Sequence, residues 1–349
     1  MVRAGAAHGA VEFFQRLGLD PDKVLQRVQL KRAELADPAG ELSLQQYCRM
    51  FEVAAELSRC SSLGLEFGAA FLPQHLGYIG YLAVTAPTLG HALRCLADEL
   101  PFHQQGTFIG LDPYGSTRLA LSYGIADSSV QEKQQDAELS LAVLLNLLRQ
   151  ALGQVWCPSE VHFAHRRLGS SLPHQRVFGA AVRFEEEANR IVFAKSLLDA
   201  PMPRRDDALH GLLAAEIARQ KGARRYDPDI VATVRYQIER LLPSGACDLD
   251  AVAAACNLPC WSLKRKLHAR ELSFQDLVLA VRRELAPVYL VERRMPATEV
   301  ALCLGYSELS AFSRAFRQWT GLTPREFVKD RHSAAGNAAA PSEGSKSPS

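Results

Sequence analysis

The sequence has no C-x-x-C pair, no uninterrupted run of 18 apolar residues and no large excess of either charge. The first absence excludes a zinc ribbon. The eight cysteines, Cys48, Cys60, Cys95, Cys157, Cys247, Cys256, Cys260 and Cys303, are spread too thinly over 349 residues for a disulfide-stapled mini-scaffold. Reduced thiols are expected. The second absence argues against a membrane span, so no membrane partner is expected. Met1 to Ala10 carries only Arg3 as a fixed basic side chain and no long apolar stretch, a poor signal peptide, so a cytoplasmic location is expected. A net charge of +2 excludes a histone-like polycation but not a basic domain inside a balanced chain. No G-x-S-x-G, Walker or H-E-x-x-H pattern occurs, and Ser171, His174 and Asp199 form no evident nucleophilic set. No catalytic residue, cofactor or metal is expected.

Hydrophobic residues make up 48% of the chain, enough for a buried core, and the length suggests two domains. Charge divides the chain. Residues 1–223 hold 22 Lys+Arg against 24 Asp+Glu; residues 224–331 hold 17 against 13. The basic part is therefore C-terminal, which points modestly to a polyanion. The tail from Ser333 is Ala, Ser, Gly and Pro and reads as disordered. The first part mixes helix and strand. Spacing predicts helices at Val11–Leu17, Leu44–Leu57, Ala92–Leu100, Ala208–Gln220 and Ala137–Leu152, the last buried on most sides. Strands are expected at Phe108–Leu111 and Thr117–Tyr123, around a turn at Asp112-Pro113-Tyr114-Gly115, and at Val161–Phe163 and Arg190–Ala194.

Tyr226–His332 is rich in helix formers and nearly free of strand signals. Leu249, Val252, Ala253 and Cys256 form an i, i+3, i+4, i+7 stripe, interrupted by Asn257-Leu258-Pro259. A second helix follows from Cys260 to Ala269. With Leu263 set at zero, Leu267 lies about 40° away, while Trp261, Arg265 and His268 lie about 160°, 200° and 140° away. Lys264 flanks them. The arrangement recurs: Val300-Ala301, a break at Gly305, then a helix from Glu308 to Trp319. Phe312, Phe316 and Trp319 share one face. Ser310, Arg314 and Arg317 point the other way, with Ser313 flanking. Two helix-turn-helix units are the economical account. Between them Phe274–Glu292 suggests one helix of roughly 27 Å, which would place the outward helices about 34 Å apart, one turn of B-DNA. Lys264, Lys266, Arg270 and Arg282 are candidates for phosphate contacts.

The run Gly305-Tyr306-Ser307-Glu308-Leu309-Ser310-Ala311-Phe312-Ser313-Arg314-Ala315-Phe316-Arg317-Gln318-Trp319-Thr320-Gly321-Leu322-Thr323-Pro324-Arg325-Glu326-Phe327 resembles the signature of the AraC/XylS family of bacterial transcription regulators. Val281-Arg282-Arg283-Glu284-Leu285-Ala286 is similar to the family's linker. Gly77-Tyr78-Ile79-Gly80-Tyr81, Ala86-Pro87-Thr88-Leu89 and the Trp156–His165 run resemble the arabinose-binding-like effector domain of one branch. The resemblance implies an α+β effector-binding and dimerisation domain (1–205), a linker (206–225), an all-α tandem helix-turn-helix domain (226–331) with a long linker helix, and a tail (332–349). It implies a sequence-specific regulator, an activator by family expectation, with double-stranded DNA, RNA polymerase, a second copy of itself and a small effector such as an amino acid or amine as partners. Carried over residue by residue, base-reading falls on Trp261, Lys264 and Arg265, and on Leu309, Ser310, Ser313 and Arg314, with Arg317 added from the outward face.

Three positions depart from the family pattern. Pro259 and Cys260 stand where a Ser cap and Pro are usual, Glu271 replaces a helix-closing Gly, and Pro287 interrupts the linker helix. Tyr78, Tyr81, His103 and Gln105 are the candidate effector contacts, with core packing as the competing reading. Asp98 and Glu99 are candidates for pairing with an amine. His162-x-x-His165 does not converge if it lies on a strand, and Cys256-x-x-x-Cys260 fits packing better than redox chemistry. Two further readings remain open. One is a dimeric regulator without a ligand. The other is a DNA-binding protein with an enzymatic N-terminal domain, which would need a reactive cysteine in an electropositive pocket.

Overall fold

In the computed structural model, residues 1–127, 129–223, 230–245, 247–256 and 259–338 are described. The chain divides into two compact units, Met1–Ala232 and Thr233–Ser349. The first opens with β1 (Val2–Arg3), α1 (Ala10–Arg16), α2 (Pro21–Arg27), α3 (Arg32–Ala36), β2 (Glu41–Leu42), α4 (Leu44–Ser58), α5 (Leu63–Ala70), α6 (Tyr78–Val84) and α7 (Leu89–His103). It continues with β3 (Thr107–Tyr114), β4 (Arg118–Ile125), α8 (Gln134–Leu152), β5 (Glu160–His162), α9 (Leu172–Phe178), β6 (Ala181–Arg183), β7 (Asn189–Ala194) and α10 (Asp207–Ala223).

A five-stranded sheet in the order β3-β4-β7-β5-β6 is antiparallel except for the β5–β6 pair. The expected turn at 112–115 falls later, at 115–117. Asp112, Pro113 and Tyr114 belong to β3, and the chain reverses at Gly115, whose φ is +72°. Proline is tolerated there because β3 is an edge strand with no partner on its outer side. Helix α8 packs on β4 and β7 and on α5. Its Leu141, Ala142, Leu145, Leu147 and Leu148 are buried. The approach of α5 rests on Gly64 and Gly68, one turn apart. A Cβ there would lie 2.1 Å from the Gln135 carbonyl oxygen and 2.4 Å from that of Leu139. Sequence reading missed α5 because glycine is a poor helix former and marks a break by propensity alone. The segment read as a linker, 206–225, is mostly helix α10, which packs on α6 within the same unit; residues 224–229 lie outside the described ones.

Helix α11 (Ile230–Leu241) crosses the division between units. Then come α12 (Leu249–Ala255), α13 (Cys260–His268), α14 (Phe274–Pro287), α15 (Ala297–Cys303), α16 (Leu309–Thr320) and α17 (Pro324–Ala338). No strand occurs among the described residues of this unit. Asp248 caps α12 by accepting from the Ala251 N–H, and reciprocal Ser273/Asp276 bonds open α14. Pro259 stands at the N-cap of α13, with no side-chain cap bond. The interrupting Asn257 and Leu258 lie outside the described residues. At the other end Glu271 has φ +58°, the left-handed region, while Leu272 N–H closes on the Leu267 carbonyl at 3.1 Å. A side chain there carries a conformational cost that glycine lacks. Glu271→Gly is expected to raise stability by about 0.5–1 kcal/mol. The check is the thermal midpoint of the second unit's transition; a fall would mean that the Glu271 side chain makes a compensating contact.

Pro287 has helical backbone angles and is followed directly by a π turn, Val288–Glu292, with Arg293 N–H bonded to the Val288 carbonyl at 3.0 Å. The expected interruption is thus a change of hydrogen-bond register that keeps the chain helical. Helix α17 extends through Ala338, so residues 332–338, read as disordered tail, are helical; residues 339–349 lie outside the described ones.

Candidate nucleic-acid interface

Helix α13 packs on α12, and Leu263 and Leu267 of the one and Val252 and Ala253 of the other are buried. A nine-residue helix docked by one stripe leaves the opposite stripe in solvent. Trp261 is 64% exposed there, with Lys264, Arg265 and His268 also exposed. The Arg265 guanidinium lies 5.2 Å from the Trp261 ring centroid. A cation–π contact of this kind is worth about 0.5–1 kcal/mol at an exposed site.

Helix α16 is docked more firmly. Phe312 and Phe316 are buried in a core with Ala286, Leu290, Val300, Ala301 and Leu304. Ring centroids of Phe312 and Phe316 are 5.5 Å apart, and those of Phe316 and Phe327 are 5.3 Å apart. Trp319 is half-buried beneath the Arg283 guanidinium. Ser310, Arg314 and Arg317 are exposed on the other face, Ser313 is half-buried, and Leu309 is 40% exposed. The Ser310 hydroxyl donates to Glu308 Oε2 at 3.0 Å, an arrangement not anticipated from the sequence.

Arg282, an expected phosphate contact, is placed otherwise. Its guanidinium donates to the carbonyls of Leu304 and Gly305 at 2.9 and 3.2 Å and lies 4.4 Å from the Tyr306 ring centroid. It satisfies helix-end carbonyls at the turn between α15 and α16. Gly305 has φ +70°, and a Cβ there would come within 2.8 Å of the Leu242 carbonyl.

In the first unit, the four expected effector residues differ in burial. Tyr78 and Tyr81 are about half exposed on α6. His103 is buried with Nε2 unpartnered, and burial beside Arg3 lowers its pKa to about 3. The Gln105 side chain is exposed. Glu99 pairs with Lys221 at 2.5 Å. Two other places hold open space beside polar side chains. A cleft of about 400 Å³ is lined by Arg27, Gln45, Gln46, Arg49, Gln131 and Glu132, among others. A cavity of about 40 Å³ lies in the core beside Tyr123 and Gln104. There the Tyr123 hydroxyl donates to Asp136 Oδ2 at 2.8 Å, and Gln104 donates to the Tyr123 oxygen at 3.1 Å. Neither was found from sequence, because each gathers residues from several distant elements.

His162 and His165 face different partners. His162 Nε2 lies 2.9 Å from Glu160 Oε2 while its Nδ1 accepts from Arg190. His165 lies 3.6 Å from Glu138, which His174 approaches to 3.0 Å. Burial pushes the Cys48, Cys95, Cys247 and Cys256 thiols up, away from nucleophilic character. No helix among the described residues is long and apolar enough to cross a membrane.

Comparison with known proteins agrees with this division. Residues 18–202 match the arabinose-binding domain of AraC transcription regulators, and residues 252–330 match a helix-turn-helix domain. The chain is 27% identical over 335 residues to the HTH-type transcriptional regulator VirS of Mycobacterium tuberculosis, covering 94% of this chain and 96% of that protein. It is 25% identical over 334 residues to the ornithine utilization regulator of Pseudomonas aeruginosa, with 94% and 96% covered. A crystal structure of the transcriptional regulator CdpR from Pseudomonas aeruginosa aligns at a TM-score of 0.42 and 20% identity, over 91% of this chain and 98% of that one. These proteins are transcriptional regulators rather than enzymes. The arabinose-binding match alone spans more than half of the 349 residues, and the chain belongs to the AraC family of DNA-binding transcriptional regulators.

Proposed function

We propose that the chain reads specific DNA sequences through two helix-turn-helix units, α12–α13 and α15–α16, joined by α14 and its π turn. The observation that carries this reading is the pair of two-faced helices. Each of α13 and α16 buries one stripe and turns arginine outward on the other, Arg265 in one and Arg314 with Arg317 in the other. An outward arginine on a docked helix can bridge guanine O6 and N7 in the major groove. Trp261, Lys264 and Arg265 read one half-element; Leu309, Ser310, Ser313 and Arg314 read the other, about one helical turn away. Lys264 also suits a phosphate contact, which sets affinity rather than sequence.

The domain plan proposed is an effector-binding and dimerising unit ahead of the DNA-binding unit, acting in the cytoplasm as an activator that contacts RNA polymerase. Of the described spaces in the first unit, the 400 Å³ cleft has the size of a small-metabolite site, and its Arg27, its Arg49–Glu132 ion pair and its glutamine amides suit a polar ligand such as an amino acid or amine. One relative is named for ornithine utilization, in keeping with that class. A thermal-shift screen of amino acids and amines should find a stabilising ligand; none would favour a ligand-independent regulator.

Selection of bound sites from a random duplex library, with the full chain at fixed salt, tests the DNA reading. Two short elements about one turn apart are expected. A single element would leave only one pair reading bases, and no enrichment with or without effector would overturn the reading. On the selected site Arg314→Ala should cost about 1–3 kcal/mol and relax preference at one base pair. Equal weakening on every sequence would make Arg314 a phosphate contact instead.

A further inference from the structure

Within the first unit, α7 and α10 bring His91, Cys95 and His210 together. One candidate ligand atom from each lies within 4.8 Å of the other two, and all three residues are half-buried. His91 and Cys95 stand at i and i+4 of α7, so they share one helix face. His210 arrives from α10, and its ring centroid is 5.1 Å from that of His91 at an interplanar angle of 72°.

The hydrogen bonds around His210 fix its tautomer. Its Nδ1 lies 3.0 Å from the Leu82 carbonyl oxygen, which can only accept. Nδ1 therefore carries a proton, which leaves Nε2 as the ring nitrogen that can take a metal. A ring nitrogen donating to a backbone carbonyl while the other is bare is the orienting arrangement of metal-bound histidines. Burial, with His210 and Arg94 nearby, lowers the His91 pKa from the ordinary histidine value. Burial, with Asp98 and Glu99 nearby, raises the Cys95 thiol to about 11. That thiol is a poor nucleophile, but a cation can displace its proton.

We propose that His91, Cys95 and His210 form a site for a divalent late first-row transition metal, Zn²⁺ being the natural occupant of two imidazoles and one thiolate. Binding exchanges the Cys95 proton for a sulfur–metal bond and releases that proton to solvent. Three protein donors leave a fourth tetrahedral position for water or another ligand. The site would also pin α10. That helix is held to its unit by buried Ile217, the His210–Leu82 bond and the Lys221–Glu99 ion pair, while Leu212 stays 70% exposed. Metal binding is thereby a tether between α7 and α10 within the first unit. This site is independent of the DNA-reading face.

Titration of the full chain with Co²⁺ as the probe tests the proposal. One equivalent should bind with a sulfur-to-cobalt charge-transfer absorption, Zn²⁺ should displace it, and one proton should be released. Cys95→Ser should abolish the charge-transfer band, while Cys157→Ser, at an exposed thiol elsewhere, should leave it intact. His210→Gln should weaken binding by more than about tenfold. His91→Gln, on the other helix, should do the same and serves if the first variant fails to fold by circular dichroism. Absence of a bound equivalent in the wild type, persistence of the band in Cys95→Ser, or undiminished affinity in the folded histidine variants would overturn the assignment.

Discussion

Phe316→Ala is expected to cost about 3–5 kcal/mol and to remove DNA binding with it. Phe316 is fully buried, and its ring lies 5.3 Å from Phe327, 5.5 Å from Phe312 and 6.4 Å from Trp319. The core it belongs to is small: Ala286, Leu290, Val300, Ala301, Leu304 and Phe312 are its other buried members. A cavity in so small a core cannot be closed by its neighbours without moving α16 itself, so the loss falls at the upper end of the range for aromatic truncation. Calorimetry of the full chain should show the second unit's transition displaced or lost while the first unit's remains. Arg314→Ala is the counterpart, because its side chain is exposed: it should weaken binding and leave the melt unchanged. If Phe316→Ala melts like the wild type, α16 is held by something other than this aromatic core.

Asp136→Asn is expected to stabilise the first unit at pH 8 and to do little at pH 4. Asp136 is 1% exposed, Tyr123 donates to its Oδ2, and Oδ1 has no partner. Burial raises its pKa from 3.8 to about 7; the Tyr123 bond and Lys133 oppose the rise and Glu52 adds to it. Between those two values the folded chain holds a proton that the unfolded chain has released. Stability therefore falls as pH rises through that window, by about 4 kcal/mol in all. Asparagine cannot ionise and can still accept from Tyr123, so the variant loses this slope. His103, lowered to about 3, tilts stability the opposite way on the acid side, but it is common to both proteins and cancels in their difference. Urea unfolding of wild type and variant across pH 4–8 is the measurement. A difference that stays constant over the range would show that Asp136 does not carry the proton.

The two-faced helices were legible in advance because their evidence is local. Leu263 and Leu267, or Phe312 and Phe316, recur at a spacing that places them on one side of any α-helix, whatever surrounds it. The outward positions of Trp261, Arg265, Arg314 and Arg317 follow from the same geometry. The strain at Glu271 was equally local, since a side chain stands where the chain must turn left-handed. Pro287 was legible as an interruption, whereas the structure shows a π turn directly after it that keeps the chain helical.

Other features required the folded chain. Arg282 has the charge of a phosphate ligand, and its sequence neighbourhood does not say that the carbonyls of Leu304 and Gly305 lie within its reach. Gly64 and Gly68 resemble helix breakers until α8 is laid against them, where the missing Cβ atoms are what let the backbones touch. Asp136 and Tyr123 are separated by a strand end and a loop, and His210 meets His91 and Cys95 from a helix far along the chain. Periodicity reports which way a side chain points from its own element, because backbone geometry sets that direction. What it meets there is set by long-range packing, which brings residues distant in sequence into one low-dielectric place and so decides pKa values, ligand sets and cavities.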